Sequence, residues 1–90
     1  MSRERYRLVL LTSSLELMVL GADSREAARA ADLLLRGEDR ENNEERKYIG
    51  SWIIHAQTNE VLEAYGPRCI GIHPEEYGYK TKQLPDGIIS

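Results

Sequence analysis

The spacing of apolar residues changes along the chain, and each change marks an element. Residues 5–12, Arg-Tyr-Arg-Leu-Val-Leu-Leu-Thr, alternate polar and apolar at the start. From Leu8 onward both faces are apolar, as in a central strand or a chain that pairs with a copy of itself. A second apolar run, Leu-Glu-Leu-Met-Val-Leu over 15–20, follows Ser13-Ser14. Leu8, Leu11, Leu15, Met18 and Val19 also fit a helical spacing, and short apolar runs are ambiguous by pattern alone. The serine pair in mid-run and Gly21 at its end favour two strands joined by a tight turn.

The period then lengthens. Residues 23–37 read as one amphipathic helix, with β-type sequence on both sides. Asp23 is placed to accept from the free N–H groups of the first turn, and Glu26 completes a capping box. Gly37 is the expected stop, with Arg36 at the negative helix end. At about 100° per residue, Ala27, Ala28, Ala30, Ala31, Leu34 and Leu35 share one face, which is expected to lie on a sheet. Arg25, Arg29, Asp32 and Arg36 fall on the opposite face, with Asp32 and Arg36 in the favourable i, i+4 order. Leu33 falls on the polar side, as an ordinary exposed leucine or as a contact point for a partner.

Residues 37–47 are polar throughout and hold no apolar side chain to bury. They are expected to form an acidic polar loop or a frayed extension of the helix. Residues 48–56 and 61–65 form a second pair of strand-like runs. The link over 57–60 reads as a hairpin connection in which Asn59 takes the left-handed conformation. Gly50 marks a bulge or a close backbone approach. Residues 68–90 are less regular. A short fifth strand over 68–73 is a candidate, Pro74, Gly78, Pro85 and Gly87 break the rest into turns, and Ile88 and Ile89 suggest a docked terminus. The expected fold is α+β, in the order β-β-α-β-β, an antiparallel sheet with one helix on one face. The other face is expected to be solvated or an interface.

Ninety residues argue for a single domain over 1–90, enough for one modest core. A net charge of −3 gives no global attraction to nucleic acid or to an anionic membrane. No run reaches the roughly 18 apolar residues of a membrane span. The basic start precedes an apolar run, but Thr12, Ser13, Ser14 and Glu16 within that run argue against a signal peptide. The one cysteine, Cys69, excludes an internal disulfide and points to a reducing, cytoplasmic setting.

Three function classes follow. The leading expectation is a non-catalytic protein-interaction module, a regulator or inhibitor of the kind mobile elements carry, with homodimerisation as a companion. Its contact residues would be Leu33, the acidic Glu38, Asp39, Glu44 and Glu45, and the aromatics Tyr48 and Trp52, because aromatics dominate interface energetics. The bland reading of Trp52 is core packing. The second class is a nucleic-acid-binding sheet. Arg3, Arg5 and Arg7 share one face of a strand, and Tyr77, Tyr79, Lys80 and Lys82 set aromatics beside cations. Against it, the chain has no Phe and is acidic overall.

The third class is a metal or thiol protein built on His55, Cys69 and His73, the only soft-ligand set. A structural zinc site normally has four ligands, and a thiol nucleophile needs an orienting group, neither of which the sequence signals. Glu75-Glu76 reads as a solvated turn rather than an acid–base pair. No Gly-rich phosphate loop precedes a helix. No cofactor is expected, and the chain reads as a protein without catalysis.

Overall fold

The computed structural model describes residues 4–42 and 47–89, the side chains of 38–42 excepted. Strands β1 (Tyr6–Thr12) and β2 (Leu17–Ala22) form a hairpin, followed by helix α1 (Arg25–Asn42). A second hairpin follows, β3 (Tyr48–His55) and β4 (Val61–Tyr65), then a 3-10 turn (Pro74–Tyr77) and a final strand β5 (Gly87–Ile89). The sheet order is β4-β3-β1-β2-β5. Strand β1 is central, antiparallel to β2 on one side and to β3 on the other. The helix therefore carries the chain over β1 from β2 to β3, two strands that run the same way.

The expected β-β-α-β-β order and single helix are present, but the sheet is mixed. Strand β5 pairs parallel to β2, with Leu20 opposite Gly87 and Ala22 opposite Ile89. The fifth strand is thus residues 87–89, not 68–73, which form a turn over 68–71 and no strand. The reason is topological. After β4, at one edge, the chain crosses the sheet face opposite the helix and reaches the other edge. A strand that arrives this way lies beside β2, not β4.

That crossing also corrects the expectation of a solvated or shared second face. Leu8, Leu10 and Ile53 face the helix, while Val9, Leu11, Val19, Trp52 and Ile54 face the crossing strap and pack with Cys69 and Tyr79. This is why β1 is apolar on both sides: it is covered twice. Two side chains pin the strap by its backbone. The Trp52 indole N–H donates to the carbonyls of Cys69 (3.1 Å) and Ile72 (2.7 Å). The Arg7 guanidinium donates to the Tyr79 hydroxyl (2.8 Å) and to the carbonyls of Thr81 (3.1 Å) and Gln83 (2.9 Å). Asp86 then accepts from the Val19 N–H (3.2 Å) and seats β5.

Local rules held at the second hairpin. Asn59 has φ 63°, the left-handed conformation expected of it. Gly50 is both near a bulge and a close approach: the register slips opposite Leu11 and Thr12, and a Cβ there would lie 2.7 Å from the Tyr65 carbonyl and 2.4 Å from Cys69 Sγ. They failed by one residue at the start of the helix, and at its end Gly37 did not act as the stop. Ser24, not Asp23, caps it, its Oγ accepting from the Ala27 N–H at 3.1 Å. Asp23 Oδ1 is buried without a hydrogen-bond partner among the described residues. Gly37 lies inside the helix, which runs on to Asn42, so of the two expectations for 37–47, loop or helical extension, the extension holds over 37–42. A single glycine costs a helix only about 1 kcal/mol, and the charged residues after it are good helix formers.

The helix is fixed to β4 by charge. Glu63 accepts from Arg25 Nε at 2.8 Å and Arg29 Nε at 2.8 Å, and Tyr65 donates its hydroxyl to the same carboxylate. One turn on, Asp32 is buried and accepts both arms of Arg36 at 2.7 and 2.6 Å. The Arg36 guanidinium lies 4.7 Å from the centre of the Tyr65 ring. Burial works against the charged form of Glu63. The hydrogen bonds from Tyr65, Arg25 and Arg29 together outweigh it and hold its pKa down to about 2.

Gly37 of the helix and Gly50 of β3 should respond oppositely to alanine. Gly37→Ala meets nothing within 4 Å and should raise the unfolding free energy by about 0.5–1 kcal/mol. Gly50→Ala forces a Cβ into a backbone carbonyl and should lower it by about 1–3 kcal/mol. Urea denaturation decides; equal effects at the two sites would contradict the packing described.

The Glu63 seat also sets an acid response. A carboxyl whose folded pKa lies below its unfolded value stabilises fully above about pH 5 and loses that contribution as pH falls toward 2. Unfolding free energy measured from pH 6 to pH 2.5 should therefore fall in the wild type, and fall less in Glu63→Gln. Parallel curves would show that Glu63 is not held in this way.

Candidate functional site

The ion pairs turn α1 about its axis, and this creates the surface of interest. Sequence periodicity places Ala30 and Leu34 on the sheet-facing side and Asp32 on the solvent side. The observed helix is rotated toward β4. Ala28 is buried, Leu35 is partly buried against the sheet, and Asp32 is buried at 1% exposure. Leu34 is left 60% exposed, and Ala30 is exposed beside it.

The result is an apolar groove of about 450 Å³ along the flank of the helix away from β4. Leu20 of β2 and Ile89 of β5 line it on the sheet side. Ala27, Ala30, Ala31, Leu34 and Leu35 line it on the helix side. Alanines keep that wall low, so the groove is shallow, with Leu34 and Leu35 lining it one turn beyond the alanines. Among its lining residues there is no charged group. Leu33, expected to be a contact point, is 66% exposed on the outer side of the helix, and Ile88 of β5 is 58% exposed. Strand β5 is also a sheet edge, paired on one side only.

Other candidates from the sequence are placed differently. Trp52 is fully buried and Tyr48 nearly so, so neither ring is available to a partner. The backbone of Glu38 and Asp39 continues the helix past the groove, but their side chains lie outside the described residues, as do Glu44 and Glu45 entirely. Of the proposed nucleic-acid set, Arg3 lies outside the described residues. Arg7 is spent on Glu4, Tyr79 and the strap carbonyls. Tyr79 is buried, and Tyr77 packs on Trp52 with ring centres 5.6 Å apart while donating to the Arg68 carbonyl. Arg5, Lys80 and Lys82 remain exposed, without an exposed aromatic platform from Tyr79.

The soft-ligand set is divided. His55 ends β3, its Nδ1 accepting from the Gln57 N–H at 3.2 Å. His73 caps the 3-10 turn: its Nδ1 accepts from the Glu75 N–H (3.2 Å) and its Nε2 bonds the Asn59 carbonyl (3.0 Å). Both nitrogens of His73 are thus occupied. Cys69 is fully buried, and burial pushes its thiol up to about 11, an effect that Arg36 partly offsets. Cys69 and His73 share one small depression with Val61, Ala64, Gly71 and Ile72, but the thiol there is held protonated. Among the described residues no three His, Cys, Asp or Glu side chains gather as a metal site. Among the same residues no helix is long and apolar enough to cross a membrane.

Sequence reasoning missed the groove because it assumed that a helix presents its most apolar face to the sheet. The signal that could have found it is the pairing of two arginines at i and i+4 on the helix, Arg25 and Arg29, with a lone acid on a strand, Glu63. In comparisons with known proteins, the chain matches no family model, no curated protein and no solved structure.

The state of Cys69 is directly measurable. In native protein at pH 8 it should react with a soluble disulfide reagent at least about a hundredfold more slowly than in urea-unfolded protein. Comparable rates in the two states would place the thiol at the surface and reopen a chemical role for it.

Proposed function

We propose that the protein is a non-catalytic interaction module, a small regulator or inhibitor that binds a protein partner along the α1–β5 groove. The observation that carries this is the exposed Leu34 and Ala30 flank above Leu20 and Ile89. Ala30 and Leu34 stand exposed on this flank, while Ala27, Ala31 and Leu35 beside them are only partly buried. Burying one leucine is worth about 1.5–3 kcal/mol, so a partner that covered Leu34 and the alanine wall would have a hydrophobic anchor of useful size.

The low alanine wall suits an amphipathic helix or an extended apolar segment laid lengthwise. The acidic residues that follow, Glu38 and Asp39 on the same helix and Glu44 and Glu45 beyond it, favour a partner with basic flanks through long-range attraction. Catalysis has no part in this reading. The buried cysteine supports a reducing compartment such as the cytoplasm, where it would persist as a thiol.

The test uses the wild-type chain and three variants as affinity baits, together with solution mass. Leu34→Asp places a charge in the groove and should reduce partner recovery at least about tenfold. Leu33→Asp, on the outer side of the helix, should reduce it less. Charge reversal at Glu38, Asp39, Glu44 and Glu45 should weaken capture chiefly at low salt. Equal recovery by wild type and Leu34→Asp would refute the groove as the contact. A wild-type dimer that Leu34→Asp dissociates would instead assign the groove to self-association.

A further inference from the structure

A second concavity, polar and remote in character from the groove, lies at the end of the sheet where β1 begins and β3 ends. It encloses about 440 Å³ and is lined by Glu4, Arg5, Tyr6, His55 and Gln57. Its hydrogen-bonding capacity is unbalanced. The one acid, Glu4, is already paired with Arg7, so its charge is answered from within the protein. Arg5 is exposed; its backbone pairs with Ala22 and Ala56, but its guanidinium makes no hydrogen bond or ion pair with the described residues. The side-chain amide of Gln57 is likewise uncommitted.

The histidine is oriented by its backbone. His55 Nδ1 accepts from the N–H groups of Gln57 (3.2 Å) and Thr58 (3.5 Å). An accepting Nδ1 places the ring proton on Nε2, so the second nitrogen of the ring is a donor. The Tyr6 ring meets the imidazole edge-on, with centroids 5.6 Å apart, and fixes its plane. Strand pairing holds the two side chains opposite each other, since Tyr6 and His55 are register partners. The recess therefore combines an uncommitted guanidinium, an imidazole N–H and an amide N–H2, with no free acceptor charge among its lining side chains.

We propose that this recess binds a small oxyanion, a carboxylate or phosphate group, with Arg5 as the charge partner and His55 Nε2–H and Gln57 as directional donors. A guanidinium presents paired N–H groups that match two oxygens of such a group. A cation is a poorer guest: the one carboxylate is already paired with Arg7 through Oε1, and the ring proton of His55 sits on Nε2. The site is independent of the helix groove, so the two readings stand or fall separately.

The chain supplies its own control, because it has two histidines and His73 has both ring nitrogens engaged by Glu75 and Asn59. Inorganic phosphate is titrated into the full chain at pH 7 and constant ionic strength, and the imidazole resonances are followed by NMR. The His55 signals should move saturably while those of His73 stay fixed. Arg5→Gln, an exposed substitution that leaves the core intact, should weaken the apparent affinity about tenfold, the loss expected when one charge-assisted contact goes. Acetate in place of phosphate separates the two sources: a His55 response to one anion alone assigns the recess to that group. A His55 signal that does not move with either anion overturns the proposal, as does one that moves together with His73 or one that titrates identically in Arg5→Gln.

Discussion

Glu63 decides which way the helix faces. It stands on the edge strand β4, its side chain 12% exposed, and receives Arg25 and Arg29 from successive turns of α1. Such a carboxylate needs donors on the helix side, and only one rotation of α1 delivers both arginines. The same rotation carries Asp32 into the protein, where Arg36 answers it and Tyr65 stacks on Arg36. One acid on one edge strand thereby couples the second hairpin to the helix. It also fixes what the far side of the helix must expose.

The opposite face of the sheet follows a comparable logic with different groups. The strap from β4 to β5 has little regular structure, so its carbonyls need donors from elsewhere. Trp52 and Arg7 supply them from the sheet. Residues that look in sequence like an aromatic anchor and a phosphate contact are consumed in closing the fold. Tyr77 and Tyr79 meet the same end, packed on Trp52 and bonded to Arg7. The aromatic and basic features that suggested recognition are therefore chiefly what joins the two halves of the chain.

What the sequence discloses is the local part. The hairpin over 57–60, the left-handed Asn59, the crowded Gly50 and the doubly apolar β1 each follow from rules that involve few neighbours. One error is local: a lone glycine is a weak stop, and the helix continues through Gly37 to Asn42. The larger errors arise where a distant segment intervenes. Residues 68–73 have strand-like composition, yet Trp52 holds their carbonyls in turns. Ile88 and Ile89 announced a docked end, but only the crossing of the strap reveals that it docks parallel to β2. The groove was illegible for the same reason, because the periodicity of α1 records its composition and not the charge waiting on β4.

The groove can be understood as the remainder of a competition within α1. Turning the helix to bury Leu34 would recover about 1.5–3 kcal/mol of hydrophobic free energy. The same turn would carry the Asp32–Arg36 pair, both on α1, away from Tyr65 and withdraw Arg25 and Arg29 from Glu63. Glu63 would stay on β4 with Tyr65 as its donor, and an under-satisfied, largely covered polar group costs about 1–3 kcal/mol. The two terms are of similar size, and the apolar flank stays outside. A partner laid along Ala27, Ala30 and Leu34 escapes this conflict: it covers the flank without moving the helix, so the hydrophobic term that folding forgoes becomes available to binding.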